Sequence, residues 1–221
     1  MTAPAGHRAR RPEHQAFAAA AAWFAEEAGH AVGRLEEPGL GEWTVRDLVG
    51  HTSRALTTVR AYLTTEPGPT ELAGPVEYYQ RALRASPAQV AQRGREAGAQ
   101  LGPDLVAPVR TLVTEVTRLV QDAPDDALAA TPFGLMRLAD YLPTRTFELV
   151  VHTCDLAVAL GRSPRPPHAA AASALRLAGE LAVRGGHADV VLLALTGRRP
   201  LPPGFTVLAG GPAVGQEAGG R

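Results

Sequence analysis

A line of charged and polar residues runs through the most apolar stretch of this sequence. The spacing from Arg137 to Leu160 predicts a helix, and Phe147, Leu149, Val150 and Val151 surround it almost completely. A helix that is apolar nearly all round is buried on most sides. Yet Arg145, Glu148, His152 and Asp155 recur on it at intervals of three and four, which places them on one face. An unpaired buried charge costs on the order of 3–5 kcal/mol, so this stripe must meet partners on neighbouring elements. The chain therefore has to fold as packed helices with a polar centre.

The other segments agree with such a packing. Phe17, Ala21, Phe24, Ala28, Val32 and Leu35 predict a helix from Glu13 to Leu35. Thr44-Val45-Arg46-Asp47 reads as a capping box, with Asp47 in place of the usual Glu or Gln, and opens a helix to Leu63. Trp43, just before the cap, is placed to staple against Leu48 or a neighbour. On this helix Leu48, His51, Ala55, Val59 and Tyr62 share a face, so His51 points where apolar side chains point. Two weaker helical pieces follow, Val76–Ala85 and Pro87–Leu101, the second containing Gly94 and Gly98. A valine seam at positions 106, 109, 113, 116 and 120 predicts a helix from Pro103 to Asp122, and 124–132 reads as a connection. Pro143 predicts a kink or restart in the last bundle helix, and Gly161 with Pro164 ends it.

This reading gives an all-α chain in four parts. Residues 1–12 are a disordered leader, 13–162 a helical bundle, 163–209 a small helical extension and 210–221 a disordered Gly-rich tail. In the extension, 168–184 reads as helical through Ala172, Leu175, Ala178 and Leu181, and Asp189–Leu195 is an apolar run of either type.

Composition excludes several function classes. Net charge is zero, with 22 arginines against 22 acidic residues, which argues against a nucleic-acid binder. No run of about eighteen apolar residues offers a membrane span. The single cysteine, Cys154, can form neither an internal disulfide nor a zinc–thiolate cluster, consistent with a reduced, cytoplasmic setting. Phosphate-binding glycine loops and a serine nucleophile elbow are absent. Lys, Ile and Asn do not occur at all, while Ala, Gly, Arg and Pro abound, the signature of a GC-rich gene.

The candidate chemistry lies in three residues. Glu148 and His152 alone read equally as a buried ion pair, and His51 alone as a satisfied core histidine. Together they are two imidazoles and a carboxylate on core-facing stripes, a three-ligand set for a divalent metal with open positions. Asp155, one turn beyond, could orient the His152 ring. Arg81, Arg84, Arg145, Arg198 and Arg199 are candidates for holding a substrate carboxylate. Cys154 lies off the His152 face and reads as a small packing residue.

These motifs carry a resemblance. Trp43-Thr-Val-Arg-Asp-Leu-Val-Gly-His51 resembles the first signature of the mycothiol-dependent maleylpyruvate isomerase family, within the DinB-like superfamily. Thr131-Pro-Phe-Gly134, then Arg145-Thr-Phe-Glu148-Leu-Val-Val-His152-Thr-Cys-Asp155-Leu-Ala157 and Gly161, resembles its second. The resemblance implies a DinB-like four-helix bundle with a small C-terminal extension and an inter-helix metal, usually Zn2+. It implies His51, Glu148 and His152 as the ligands. It also implies mycothiol as thiol co-substrate and a small electrophile as partner, with no nucleic acid or membrane, in a monomer or homodimer. The family's isomerases carry a larger α/β C-terminal domain than the segment after Gly161 here, so the electrophile stays unnamed. A non-catalytic metal-binding interaction module and a metal-dependent hydrolase are the alternatives. The GC-rich bias agrees with actinobacteria.

Overall fold

The computed structural model describes residues 11–64, 66, 68–83 and 87–208. Four helices make the bundle: α1 (Pro12–Gly29), α2 (Val45–Tyr62), α5 (Val106–Asp122) and α6 (Leu138–Ala159). α1 and α2 each pack on both α5 and α6, which sets the cyclic order α1–α5–α2–α6. Phe17 and Phe24 of α1, Leu48 and Leu56 of α2, Val116 of α5 and Leu149 of α6 meet in one continuous core. Two further helices flank it: α3 (Pro75–Ala82) lies on α6, and α4 (Pro87–Gln100) lies along α2. Among the described residues no helix is long and apolar enough to cross a membrane.

The capping box forms as the sequence predicts. Thr44 Oγ1 accepts from the Asp47 backbone N–H, and Asp47 Oδ2 accepts from that of Thr44. Pro143 does not break α6, which runs as one helix through it. It sits only six residues in, where it removes one backbone donor, and its neighbours Leu142 and Thr144 are fully buried.

Several expectations give way. The first helix stops at Gly29 rather than Leu35. Glycine at 29 and the left-handed Gly33 (φ 77°) turn the chain there, leaving Val32 exposed. α5 begins at Val106 rather than Pro103, because the Asp104 carboxylate accepts from the Val106 N–H. The connection 124–132 contains a strand. β2 (Leu128–Thr131) pairs antiparallel with β3 (Gly134–Arg137) through a tight turn at Pro132 and Phe133, and β1 (Leu63–Thr64) adds to its other edge. α6 is less enclosed than its composition suggests, since Val151 and Val158 face outward.

The ends of the chain differ from the expected division. Residues 1–10 of the leader and 210–221 of the tail lie outside the described residues. Arg11 pairs with Asp125 and donates to the Ala123 carbonyl, and Pro12 opens α1, so neither belongs to a leader. The extension folds as α7 (His168–Arg184) and α8 (Ala188–Leu195). α7 packs on α1 and α6 through Ala170, Ala174, Leu177 and Leu181, which join the bundle's core. Leu181 of the predicted line is buried and Ala178 packs against the core, but Ala174 and Leu177 take the inward place expected of Leu175, which points to solvent. Glu13 of α1 ties α7 down by bonding Ser173 and Arg176.

The glycines that weaken α4 as an isolated helix explain its position. A Cβ on Gly50 of α2 would lie 2.1 Å from the Gly98 nitrogen and 2.8 Å from the Gly94 carbonyl oxygen. Backbone meets backbone there, so α2 and α4 approach as only glycines allow. Gly50→Ala therefore separates two opposing effects. Helix propensity favours alanine by about 1 kcal/mol, whereas the clash forces α4 away. We expect a net loss of about 1–3 kcal/mol in chemical denaturation; unchanged or increased stability would mean that the two helices do not meet there.

Candidate metal centre

α2 and α6 bring the site together. His51 occupies the second turn of α2, and Glu148 and His152 project from successive turns of α6. One ligand atom from each lies within 4.8 Å of the other two. The His51 and His152 rings meet edge to face, centroids 4.6 Å apart. The sequence-predicted trio thus converges, and it is the one group of this kind among the described residues.

Each member is held by something behind it. His152 stands between two carboxylates: Nε2 is 3.2 Å from Glu148 Oε2, and Nδ1 is 3.2 Å from Asp155 Oδ2. Asp155 therefore takes the orienting place expected of it. The Tyr79 hydroxyl on α3 donates to Glu148 Oε1 at 2.6 Å, leaving Oε2 for the site. Trp43 packs against the core and leans on His51, ring centroids 4.5 Å apart at 39°. Gly94 of α4 covers the other approach to His51, so close that a Cβ there would lie 3.3 Å from the histidine Cβ. His51 Nδ1 is buried without a hydrogen-bond partner.

The electrostatics divide the two imidazoles. Burial, reinforced by the neighbouring charge of His152, lowers the His51 pKa to about 4, so this ring is neutral with a free lone pair at pH 7. For His152 burial acts in the same direction, but the hydrogen bonds to Asp155 and Glu148 outweigh it and raise the pKa. Burial opposes ionisation of Glu148 too, yet the His152 hydrogen bond and the Arg145 charge hold it well below the usual carboxylate range. The protein groups alone thus favour a neutral His51, an ionised Glu148 and a protonated His152 that shares a proton with that carboxylate. A divalent cation fits this donor set, since it can replace the proton that His152 and Glu148 share.

The candidate arginines separate clearly. Arg145 is buried beside the trio, its guanidinium lying over both Tyr78 and Tyr141 at 5.2 and 5.1 Å from their ring centroids. Arg81 is engaged elsewhere, with Glu77 and the Phe133 carbonyl. Arg198 and Arg199 lie exposed after α8, and Arg84 falls outside the described residues. Cys154 is half-buried with its pKa raised by burial and by Asp155, so it stays a thiol. A cavity of about 300 Å³ opens on His51 and Glu148 and is lined further by Arg54, Arg93, Arg145 and Phe133. Arg54 and Arg93 escaped the sequence reading, although Arg54 lies one turn beyond His51. Nothing in the sequence marked Tyr79.

The two carboxylates around His152 make a titration prediction. In metal-free protein, imidazole NMR should find His51 neutral at pH 7 and His152 protonated. Stability from the raised His152 pKa is fully present below the unfolded value of 6.5 and fades as pH rises through the folded value. Asp155→Asn should lower the His152 pKa; an unchanged titration would mean that Asp155 does not hold the ring.

A family model described as the mycothiol maleylpyruvate isomerase N-terminal domain matches residues 11–157. The match takes in α1 to α6 but for the last two residues of α6, and leaves α7 and α8 outside it. No curated protein and no solved structure matches the chain.

Proposed function

The chain belongs to the mycothiol maleylpyruvate isomerase N-terminal domain family, and on that premise we propose that it is a metal-dependent enzyme joining mycothiol to a small electrophile, in thiol transfer or double-bond isomerisation. The observation that carries this reading is the cavity against His51 and Glu148. A purely structural metal site is closed by a fourth protein ligand, whereas a catalytic one keeps a position open. Asp155 bonds the far nitrogen of His152 and so does not close the site.

In this reading His51, Glu148 and His152 hold a divalent cation, with zinc the best match to two imidazoles and a carboxylate. When bound, the cation supplies Lewis acidity, which lowers a thiol's pKa so that thiolate forms near neutral pH. The chain's own residues do the rest. Asp155 fixes the His152 ring and keeps its proton on Nδ1. Tyr79 fixes the Glu148 carboxylate. Trp43 and Gly94 crowd His51 and exclude water from its flanks. The chain's one cysteine is not among the residues lining this cavity, so the reacting thiol comes from outside.

Two measurements test this. Elemental analysis should find one zinc or equivalent divalent ion per chain in the wild type and none in the His51→Ala/His152→Ala double variant, with Asp155→Asn binding about 10–100-fold more weakly. Equal metal content in wild type and double variant would remove the site. Consumption of small electrophiles should then require both the cation and mycothiol. Turnover by the cation-loaded protein without any thiol would instead indicate a hydrolase acting through water.

A further inference from the structure

The lining of the cavity beside His51 and Glu148 is cationic. Arg54 of α2, Arg93 of α4 and Arg145 of α6 all line it, three guanidiniums from three helices. The single carboxylate in the lining is Glu148, and both of its oxygens are committed, one to Tyr79 and one to His152. Among the described residues none of the three arginines forms an ion pair. Arg145 bonds through Nε to Thr144 Oγ1, and Arg93 makes one long contact of 3.4 Å to Gln89. Arg54 has no side-chain hydrogen bond among the described residues and is half-buried. Burial, then the charges of Arg93 and Arg145, act to depress its pKa, as gathered like charges do.

Two other cavities are balanced in charge, one of them by Arg34 and Arg46 with Glu36 and Glu37. The larger one between α3 and α7, about 840 Å³, balances Arg176 and Arg184 with Glu77 and Glu180. Elsewhere on α2, Arg60 pairs with Glu115 across to α5. Positive charge in excess is thus concentrated beside His51 and Glu148, three guanidiniums against one carboxylate. A guanidinium presents a planar fork of donors that fits a carboxylate or phosphate in two parallel hydrogen bonds.

We infer that Arg54, with Arg93 and Arg145, is an anion-binding wall that selects an electrophile carrying a carboxylate or phosphate group. For the role of that anion in a reaction the inference rests on the function proposed above; for its binding it does not. Arg145, buried against the rings of Tyr78 and Tyr141, sets the inner end of the wall. Arg54 stands between Arg145 and the more exposed Arg93, and it has the most donors left free. The small volume limits the ligand to a compact anion, at the lower end of ligand pockets.

Calorimetric titration with matched probes tests the wall independently of any metal. Succinate and inorganic phosphate are the anions, and succinamide is the uncharged counterpart of succinate. Each is titrated into EDTA-treated and zinc-loaded full-length protein, at two salt concentrations. The expected result is binding of at least one anion to the metal-free wild type, weakened by salt, with no detectable succinamide binding. Arg54→Gln should weaken that binding at least tenfold, Arg93→Gln less, and Arg54→Lys should restore part of it. The tighter of the two anions names the group. Thermal melts verify folding, and if Arg54→Gln does not fold, Arg93→Gln and Arg54→Lys carry the test. Succinamide binding as tightly as the anions, no anion binding to the wild type, or foldable variants all within twofold of wild type would overturn the wall. Because the metal-free arm needs no cation, a failure of zinc binding and a failure of the arginine wall give different results.

Discussion

Two carboxylates grip one imidazole, and the site is built around that grip. Glu148 and Asp155 lie one turn to either side of His152 on α6, so the spacing of a single helix suffices to set both hydrogen bonds. The arrangement fixes the plane of the ring, and it holds a proton where the partner helix brings His51. A cation entering the site competes with that proton rather than with water alone. Burial keeps His51 neutral across the interface, and the His152 charge reinforces it. The two imidazoles differ because only His152 has carboxylate partners to offset its burial.

The bundle serves this geometry in an economical way. α4 reaches α2 because Gly50, Gly94 and Gly98 allow backbones to touch, and that contact brings Gly94 over His51 and Arg93 to the cavity. α3 brings Tyr79 to Glu148, and the Thr44–Asp47 capping box starts α2 just after Trp43, which leans on His51. α7 closes the opposite side of the bundle and shares its core, so the segment beyond the family match is structurally continuous with the residues inside it.

Much of this could be read from the sequence, for identifiable reasons. A polar stripe inside an apolar helix, and a histidine on an apolar face, are anomalies that periodicity exposes directly. The capping box is a local signal and needs no tertiary information. What was hidden depended on contacts distant in sequence. Gly94 and Gly98 count against a helix in isolation and become intelligible only against Gly50. Tyr79 and Arg54 look like ordinary amphipathic surface residues until α3, α4 and α6 enclose them. The β2–β3 hairpin has strands of only four residues each, too short for alternation to show. The exposed Leu175 shows how an alanine-rich helix, with so few large side chains, leaves part of its buried face ambiguous.

The central claim is that His51, Glu148 and His152 share one ion. X-ray absorption at the zinc edge, on full-length protein carrying one equivalent of zinc, examines the ion's own surroundings. The account predicts two imidazole nitrogens at about 2.0–2.1 Å, with oxygen completing the shell. A shell of oxygen alone, or one containing the Cys154 sulfur at about 2.3 Å, would contradict it.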